Sequence, residues 1–167
     1  MVRRYGPVLA VVAFAMTAAS TSFARVGETR SQCEQRYGIL EPGTFNEYSN
    51  VMKFTKGEIQ GSLVFGGPEA DARCVLLQIS RADGKAMGPE IRAVMDANKG
   101  SAAWSEGVKT RTGLGPRWDY TTSDGRLHAF VVEIAPLTNV LTIESCEWRN
   151  KLKEAEKQKA RDSVRGF

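Results

Sequence analysis

The sequence predicts an α+β domain: a mostly antiparallel sheet of about six to seven strands, with short helices packed on one side and a charged helix at the C-terminus. Three observations support this class. Much of the chain alternates apolar and polar residues with period two, in short runs separated by turn residues. Two short segments carry helix boundary signals, and the segment after residue 146 is rich in charged residues with high helix propensity. Connections of hairpin length favour an antiparallel sheet.

The N-terminus has the three-part pattern of a secretory signal peptide. Two arginines near the start provide positive charge, an apolar run extends over residues 8–19, and Ser22-Phe23-Ala24 forms a small-x-small cleavage site. The apolar run is shorter than the ~20 residues that a membrane-spanning helix requires, and no cysteine follows the cleavage site to carry a lipid. We therefore expect residues 1–24 to be removed and an exported protein, periplasmic or secreted, to begin at Arg25.

Length and charge suit one exported domain. We divide the rest of the chain into a single α+β domain, 25–146, and a charged C-terminal helix or tail, 147–167. The 167 residues carry a formal net charge of +4, which gives no case for nucleic-acid binding, and export argues against it as well.

The three cysteines, Cys33, Cys74 and Cys146, lie in the exported part, where an oxidising compartment favours a disulfide. Cys33 falls on the packing face of a predicted helix and Cys74 in a predicted central strand, so we expect these two to pair. Cys146 borders the charged tail and is then the free thiol. The cysteine spacing matches no metal-binding signature and the chain has one histidine, so we expect neither a metal nor another cofactor.

The first predicted element is a helix over residues 30–37. Thr29 and Gln32 have the spacing of a capping box, and Gly38 is a natural C-terminal cap. We expect this helix to cover one side of the sheet and to be followed by a loop over residues 39–50, which contain proline, glycine and asparagine.

Three strands follow in the first half of the domain. Residues 51–55 and 58–65 predict a hairpin around Lys56-Gly57. Residues 73–80 are apolar on both faces, which predicts a central strand.

The second half begins with a helix that opens at Gly88-Pro89-Glu90 and ends near Asn98 to Gly100. The period of the apolar residues then returns to two, and Ser123-Asp124-Gly125 predicts a tight turn. Four further strands are predicted, at residues 108–112, 117–122, 126–134 and 140–145.

The charged tail predicts a helix whose ion pairs, such as Glu147 with Lys151, add a few tenths of a kcal/mol each. Trp148 and Leu152 can contact the domain, and few apolar residues follow them. We interpret the rest as a solvated helix, with a handle for a partner or an anionic surface as the alternative.

Catalytic signals are weak. His128 lies in a predicted strand beside Phe130 and Val132, which is typical of a packed or hydrogen-bonded histidine, and no nucleophile on a sharp strand-to-helix turn accompanies it. The Gly113-Leu114-Gly115-Pro116 segment begins like a phosphate loop, but no helix follows it. The carboxylates considered as a catalytic pair are scattered along the chain: Glu90, Asp96, Glu106, Asp119 and Asp124.

The aromatic residues Trp104, Trp118 and Tyr120 are the tentative binding surface. Trp118 and Tyr120 point to one face of their strand. They either fill the core or, if that face is open, form a platform of the kind enriched at protein contacts.

The segment from Arg25 to Gly38 resembles a recurring start of small exported bacterial proteins of uncharacterised function. Its Gly-x-Thr-x₈-Gly spacing from Gly27 is similar to the first helix of outer-membrane-assembly and β-lactamase-inhibitor-like modules. That resemblance implies an α+β binding module without catalytic residues, and it transfers no functional residue to this chain.

We therefore expect an exported, non-catalytic binding or interaction module of the periplasm or cell envelope, whose partner is another envelope protein. One alternative is a hydrolase whose acidic residues are brought together only by folding. Another is an assembly protein that uses its charged terminal helix as an adaptor.

Overall fold

The computed structural model describes residues 25–46, 48–135 and 138–165 and shows an α+β fold with one antiparallel sheet of eight strands and three helices. The predicted signal peptide, 1–24, and part of the predicted turn at 136–139 lie outside the described residues. The helices are α1 (Arg30–Tyr37), α2 (Pro89–Asn98) and α3 (Cys146–Arg165). The strands are β1 (Glu41–Phe45), β2 (Tyr48–Lys56), β3 (Ile59–Phe65), β4 (Cys74–Arg81), β5 (Val108–Thr112), β6 (Gly115–Thr121), β7 (Leu127–Ala135) and β8 (Thr138–Ser145).

The fold consists of two similar halves. Each half is a helix followed by a meander of four antiparallel strands, and the sheet order is β1-β2-β3-β4-β8-β7-β6-β5. The corresponding strands β1 and β5 have five residues each and β4 and β8 have eight, whereas β2 and β6 have nine and seven and β3 and β7 have seven and nine. The order of strands in the sheet is therefore symmetric about the pairing of β4 with β8, an arrangement that the sequence reading did not predict.

The sheet has one strand more than the upper limit that the sequence predicted. The additional strand is β1, which lies in the segment that we expected to be a loop. Pro42 cannot donate a backbone hydrogen bond, and in the sheet it occupies an edge strand that pairs only with β2, where that donor is not needed. Pro42 led us to expect a loop, because proline occurs both in loops and in edge strands and the sequence alone does not distinguish them.

The first face of the sheet carries the main core and is covered by α1 and α2. The capping box of Thr29 and Gln32 is formed as predicted, and it begins α1 so that Cys33 and Tyr37 turn inward. In α2, Val94 and Met95 are buried in the same cluster. The sheet contributes mainly aliphatic side chains to this core: Leu63, Leu77, Ile79, Ala129, Val131, Leu141 and Ile143.

Polar contacts fix α2 at both of its ends. The buried Asn139 of β8 accepts a hydrogen bond from the backbone N–H of Met87 at 2.7 Å and donates one to its carbonyl at 3.0 Å. Arg81 reaches Glu90 of the first helical turn at 3.2 Å. At the other end, Asn98 accepts a hydrogen bond from the backbone N–H of Val26 at 2.8 Å.

The second face carries a smaller apolar cluster, covered by the first turns of α3. Val51, Val64 and Leu76 are buried there, and Trp148 packs against them. The Trp148 and Tyr48 rings lie 5.1 Å apart between centroids. None of the three described helices combines the length and the apolar character that crossing a membrane requires.

The predicted disulfide between Cys33 and Cys74 is not present, because all three cysteines are free thiols in the structure. Docking of α1 does bring these two side chains together in the main core, where Cys33 is 0% and Cys74 is 1% exposed. Their hydrogen bond, and then burial, raise the pKa of Cys74. The thiolate that disulfide chemistry requires is therefore disfavoured once the core is closed.

We expect the folded, fully reduced protein to show one fast-reacting thiol, Cys146, because the core excludes reagents from Cys33 and Cys74. Burial raises the pKa of Cys146, so labelling with a maleimide is followed at alkaline pH by peptide mass spectrometry. Modification of Cys33 or Cys74 at the rate of Cys146 would contradict this packing. A second measurement counts the reactive thiols after the protein is unfolded without a reductant. Three reactive thiols would agree with the structure, whereas a single one would agree with the predicted disulfide.

Removing residues 157–167 is expected to change the melting temperature by less than about 2 °C, since residues 153–162 of α3 are exposed.

Trp148→Ala should destabilise the protein by about 2 kcal/mol, because the ring is partly buried against the second-face cluster. Thermal unfolding of both variants beside the parent tests this. A large loss of stability from the truncation would show that the end of α3 is docked.

Candidate functional site

A polar groove of about 490 Å³ lies on the second face, over strands β1 to β4. Helix α3 covers the neighbouring apolar end of this face and leaves the groove uncovered. The groove is lined mainly by polar side chains: Glu41, Lys53, Thr55, Gln60, Ser62, Gln78 and Ser80.

Strand register arranges these side chains in two rows across the sheet. Ser62 pairs with Lys53 on one side and with Gln78 on the other. In the next row, Gln60 pairs with Thr55 and with Ser80. Because alternate residues of a strand point to the same face, each row presents hydroxyl and amide groups at the interstrand spacing of ~4.8 Å.

The polar groups of the groove are weakly engaged with each other. Gln60 donates a hydrogen bond to the Ser80 hydroxyl at 3.4 Å, and Gln78 donates one to Thr142 at the same distance, which is long for such bonds. Within the described part of the chain, Glu41 and Lys53 take part in no ion pair. The groove therefore offers donors and acceptors that a ligand could satisfy.

Gly61 lies in the groove floor, where the main core fills the space on its other side. A Cβ atom at this position would lie 2.3 Å from the carbonyl oxygen of Gln78 and 2.7 Å from the Phe54 ring, so no larger residue fits. The Phe54 ring in turn stacks on Tyr37 of α1, with 3.7 Å between the centroids. The floor is thus supported from the first face by the main core.

A second polar cluster, the Asp–His–Glu cluster, lies on the same face over β6, β7 and β8. His128 Nδ1 is 2.9 Å from Glu144 Oε1, and His128 Nε2 is 3.0 Å from Asp119 Oδ1. Arg149 of α3 lies 3.2 Å from the same Glu144 oxygen, and Arg117 donates to both oxygens of Asp119. His128 and Glu144 are only 5% and 8% exposed, while Asp119, Arg117 and Arg149 at the edges of the cluster are partly buried.

Each carboxylate in the cluster has a cationic partner. Arg117 pairs with Asp119 and Arg149 pairs with Glu144, and each ring nitrogen of His128 faces one of these carboxylates. Burial alone raises the pKa of Asp119, but the hydrogen bonds and charges of Arg117 and His128 lower it more, so the pKa of Asp119 lies below its usual value. The cluster thus links three strands and α3 through paired charges.

This arrangement does not resemble a hydrolytic triad. Both nitrogens of His128 are occupied by carboxylates, so neither is directed at a nucleophile. The two acids approach opposite edges of the ring, and among the described residues no group of three His, Cys, Asp or Glu side chains is placed to hold a metal ion. Neither Asp119 nor Glu144 lines the polar groove.

The three aromatic residues predicted as a tentative surface lie away from the groove. Trp104 and Tyr120 are partly buried against the main core, and Trp104 Nε1 donates a hydrogen bond to the Met95 carbonyl at 2.9 Å. Trp118 is half-buried on the same face, with Lys109 Nζ 5.2 Å from its ring centroid. Their role as a contact surface stays a prediction.

Sequence reasoning missed the groove and the convergence of Asp119 and Glu144 on His128. A signal was present in the strands. Polar residues alternate with apolar ones at positions 53 and 55, 60 and 62, and 78 and 80. These positions share one face once the register is known.

Comparison with known proteins finds no matching family model, no similar curated protein and no similar solved structure.

His128→Phe should lower the free energy of unfolding by about 3 kcal/mol, since it removes a partner of the buried Glu144 carboxylate. The double variant His128→Phe/Glu144→Leu should recover most of this loss, because both polar partners are then replaced by apolar side chains. Urea unfolding of the two variants measures the difference. A double variant less stable than the single one would contradict this expectation and show that the Glu144–Arg149 ion pair contributes more than the relief of the buried carboxylate.

Proposed function

We propose that this protein is an exported binding module, and that its ligand occupies the polar groove over β1 to β4. The observation that carries the proposal is the groove itself, an uncovered concavity in which two rows of hydroxyl and amide groups are only weakly engaged with each other. Ligand sites in proteins are concave and contain a few convergent polar groups on a rigid frame.

The frame around the groove is suited to binding without large rearrangement. Its polar side chains stand on four consecutive strands of one sheet, and Gly61 and Phe54 connect the floor to the main core. A site on strands holds its polar groups more precisely than a site on loops. Little conformational entropy of the protein is then lost when a ligand binds.

Export and the periplasm or cell envelope are part of this proposal, and they are supported by the signal-peptide pattern of residues 1–24. Another envelope protein remains the proposed class of partner. The hydrolase alternative is less well supported, because the acids that folding brings together are paired with His128, Arg117 and Arg149.

The test follows backbone amide resonances by NMR while millimolar triserine, N-acetyl-triserine amide or the trimer of N-acetylglucosamine is added. We expect at least one of these polar probes to shift resonances of β2, β3 and β4. Ser62→Trp, which places a large ring at the centre of the groove, should abolish the shifts. Val108→Trp, at an exposed position of β5 on the same face, is the matched control and should keep them.

Groove resonances that stay unchanged with all three probes would contradict the proposal. Shifts of equal size in the parent and in Ser62→Trp would also contradict it, because the ligand would then bind elsewhere.

A further inference from the structure

We infer that the edge strand β5 binds an extended, acidic segment of a partner protein, which continues the sheet. Strand β5 ends the sheet and pairs only with β6, so its backbone N–H and C=O groups that point away from β6 face no described strand. Four of its five residues are exposed, so this edge is not covered by a described helix or loop. The polar groove lies at the other end of the sheet, and the inference therefore goes beyond the proposed function.

The two edges of the sheet differ in their ability to accept a further strand. In β1, Pro42 has no N–H to donate, and the register with β2 shifts between Gly43 and Phe45. Strand β5 contains no proline, and it pairs with β6 in unbroken register from Val108 to Thr112. Prolines and bulges protect an edge from pairing with another chain. Of the two edges, β5 is therefore the one with a regular backbone to pair with.

Both charged residues of β5 are basic, and both lie on the first face. Neither Lys109 nor Arg111 forms an ion pair with a described residue. Lys109 Nζ lies 5.2 Å from the ring centroid of Trp118, a contact that provides no carboxylate. On the neighbouring strand β6, Asp119 lies on the second face and pairs with Arg117. The first face of this edge thus carries two positive charges that no described ion pair compensates.

These charges select the partner strand. Antiparallel pairing of β5 with β5 of a second copy, centred on Thr110, would place Lys109 opposite Arg111, and like charges directly opposite each other are destabilising. A strand with acidic residues at alternate positions places carboxylates opposite the two basic residues instead, because paired residues share a face. Its intervening residues then lie on the second face beside Val108, which is 63% exposed. The partner segment is therefore one in which acidic and β-branched residues alternate.

The experiment adds millimolar N-acetyl-Thr-Glu-Val-Glu-Thr amide to the full chain and follows backbone amide resonances by NMR. We expect shifts centred on β5, and binding about fivefold tighter than that of the neutral form, N-acetyl-Thr-Gln-Val-Gln-Thr amide. The double variant Lys109→Gln/Arg111→Gln should remove this preference. The double variant Lys151→Gln/Lys153→Gln, which removes the same charge from exposed positions of α3, is the matched control and should keep it.

Two N-methylated forms of the acidic peptide test whether backbone pairing holds it. Successive residues of a strand direct their backbone groups to opposite sides, so either the Glu residues or the intervening residues face β5, and not both. One form is methylated on the backbone nitrogens of both Glu residues, and the other on those of the Val and the two Thr residues. We expect one form to lose binding and the other to retain it.

Several outcomes would overturn the inference. Equal behaviour of the two methylated forms would show that the peptide is not held as a strand, and equal binding of the acidic and neutral peptides would show that charge does not select it. Resonances of β5 that stay unchanged with the acidic peptide would exclude the edge as its site. Dimerisation of the protein on concentration, seen by light scattering together with shifts in β5, would make a second copy the occupant. The polar groove is tested by other probes and other resonances, so these outcomes leave the proposed function standing.

Discussion

The pairing of β4 with β8 is the constraint on which the rest of the structure depends. Among the described strands it is the only ladder that joins the two four-stranded halves, from Leu76 opposite Glu144 to Ile79 opposite Leu141. Successive residues of β4 and β8 point to opposite faces of the sheet, so this pair contributes side chains to both. Leu77, Ile79, Leu141 and Ile143 supply the centre of the main core, while Gln78 and Thr142 stand on the second face between the groove and the Asp–His–Glu cluster.

The two faces of this sheet are covered unequally, and that difference produces the candidate site. Two helices cover the first face, because each half places its helix there. On the second face the only described helix is α3, and it packs through Trp148 near β2 to β4 and through Arg149 over β8. The polar rows of β2 to β4 therefore stay open to solvent. Hydroxyl and amide side chains suit such a surface, since their hydrogen bonds can be made by water until a ligand arrives.

Local signals in the sequence predicted the elements well. Several elements begin or turn where local signals predicted. Helix α1 begins at the capping box of Thr29 and Gln32, helix α2 begins at Pro89, and the two hairpins turn at Gly57 and Gly125. Each of these signals acts within a few residues, through a dihedral angle or a backbone donor. The strand β1 was missed because Pro42 gives the same local signal in an edge strand and in a loop.

What the sequence could not predict was register. Asp119, His128 and Glu144 lie on three strands, and they meet only because Phe130 is opposite Asp119 while His128 is opposite Glu144. A shift of one residue would turn these side chains to the other face. The duplicated order of the halves was hidden for a different reason, since the segment of β1 was expected to be a loop and the first half was therefore predicted to have three strands instead of four.

Burial separates the two polar regions of the second face. In the Asp–His–Glu cluster His128 and Glu144 are buried and Asp119 is partly buried, and hydrogen-bonded polar partners make that burial tolerable. In the groove the side chains are open, and the charged ones have no partner among the described residues. Buried pairing accounts for stability without requiring a ligand. Exposed, weakly engaged groups on a rigid floor contribute little to the stability of the fold, which is why we propose the groove and not the histidine cluster as the binding site.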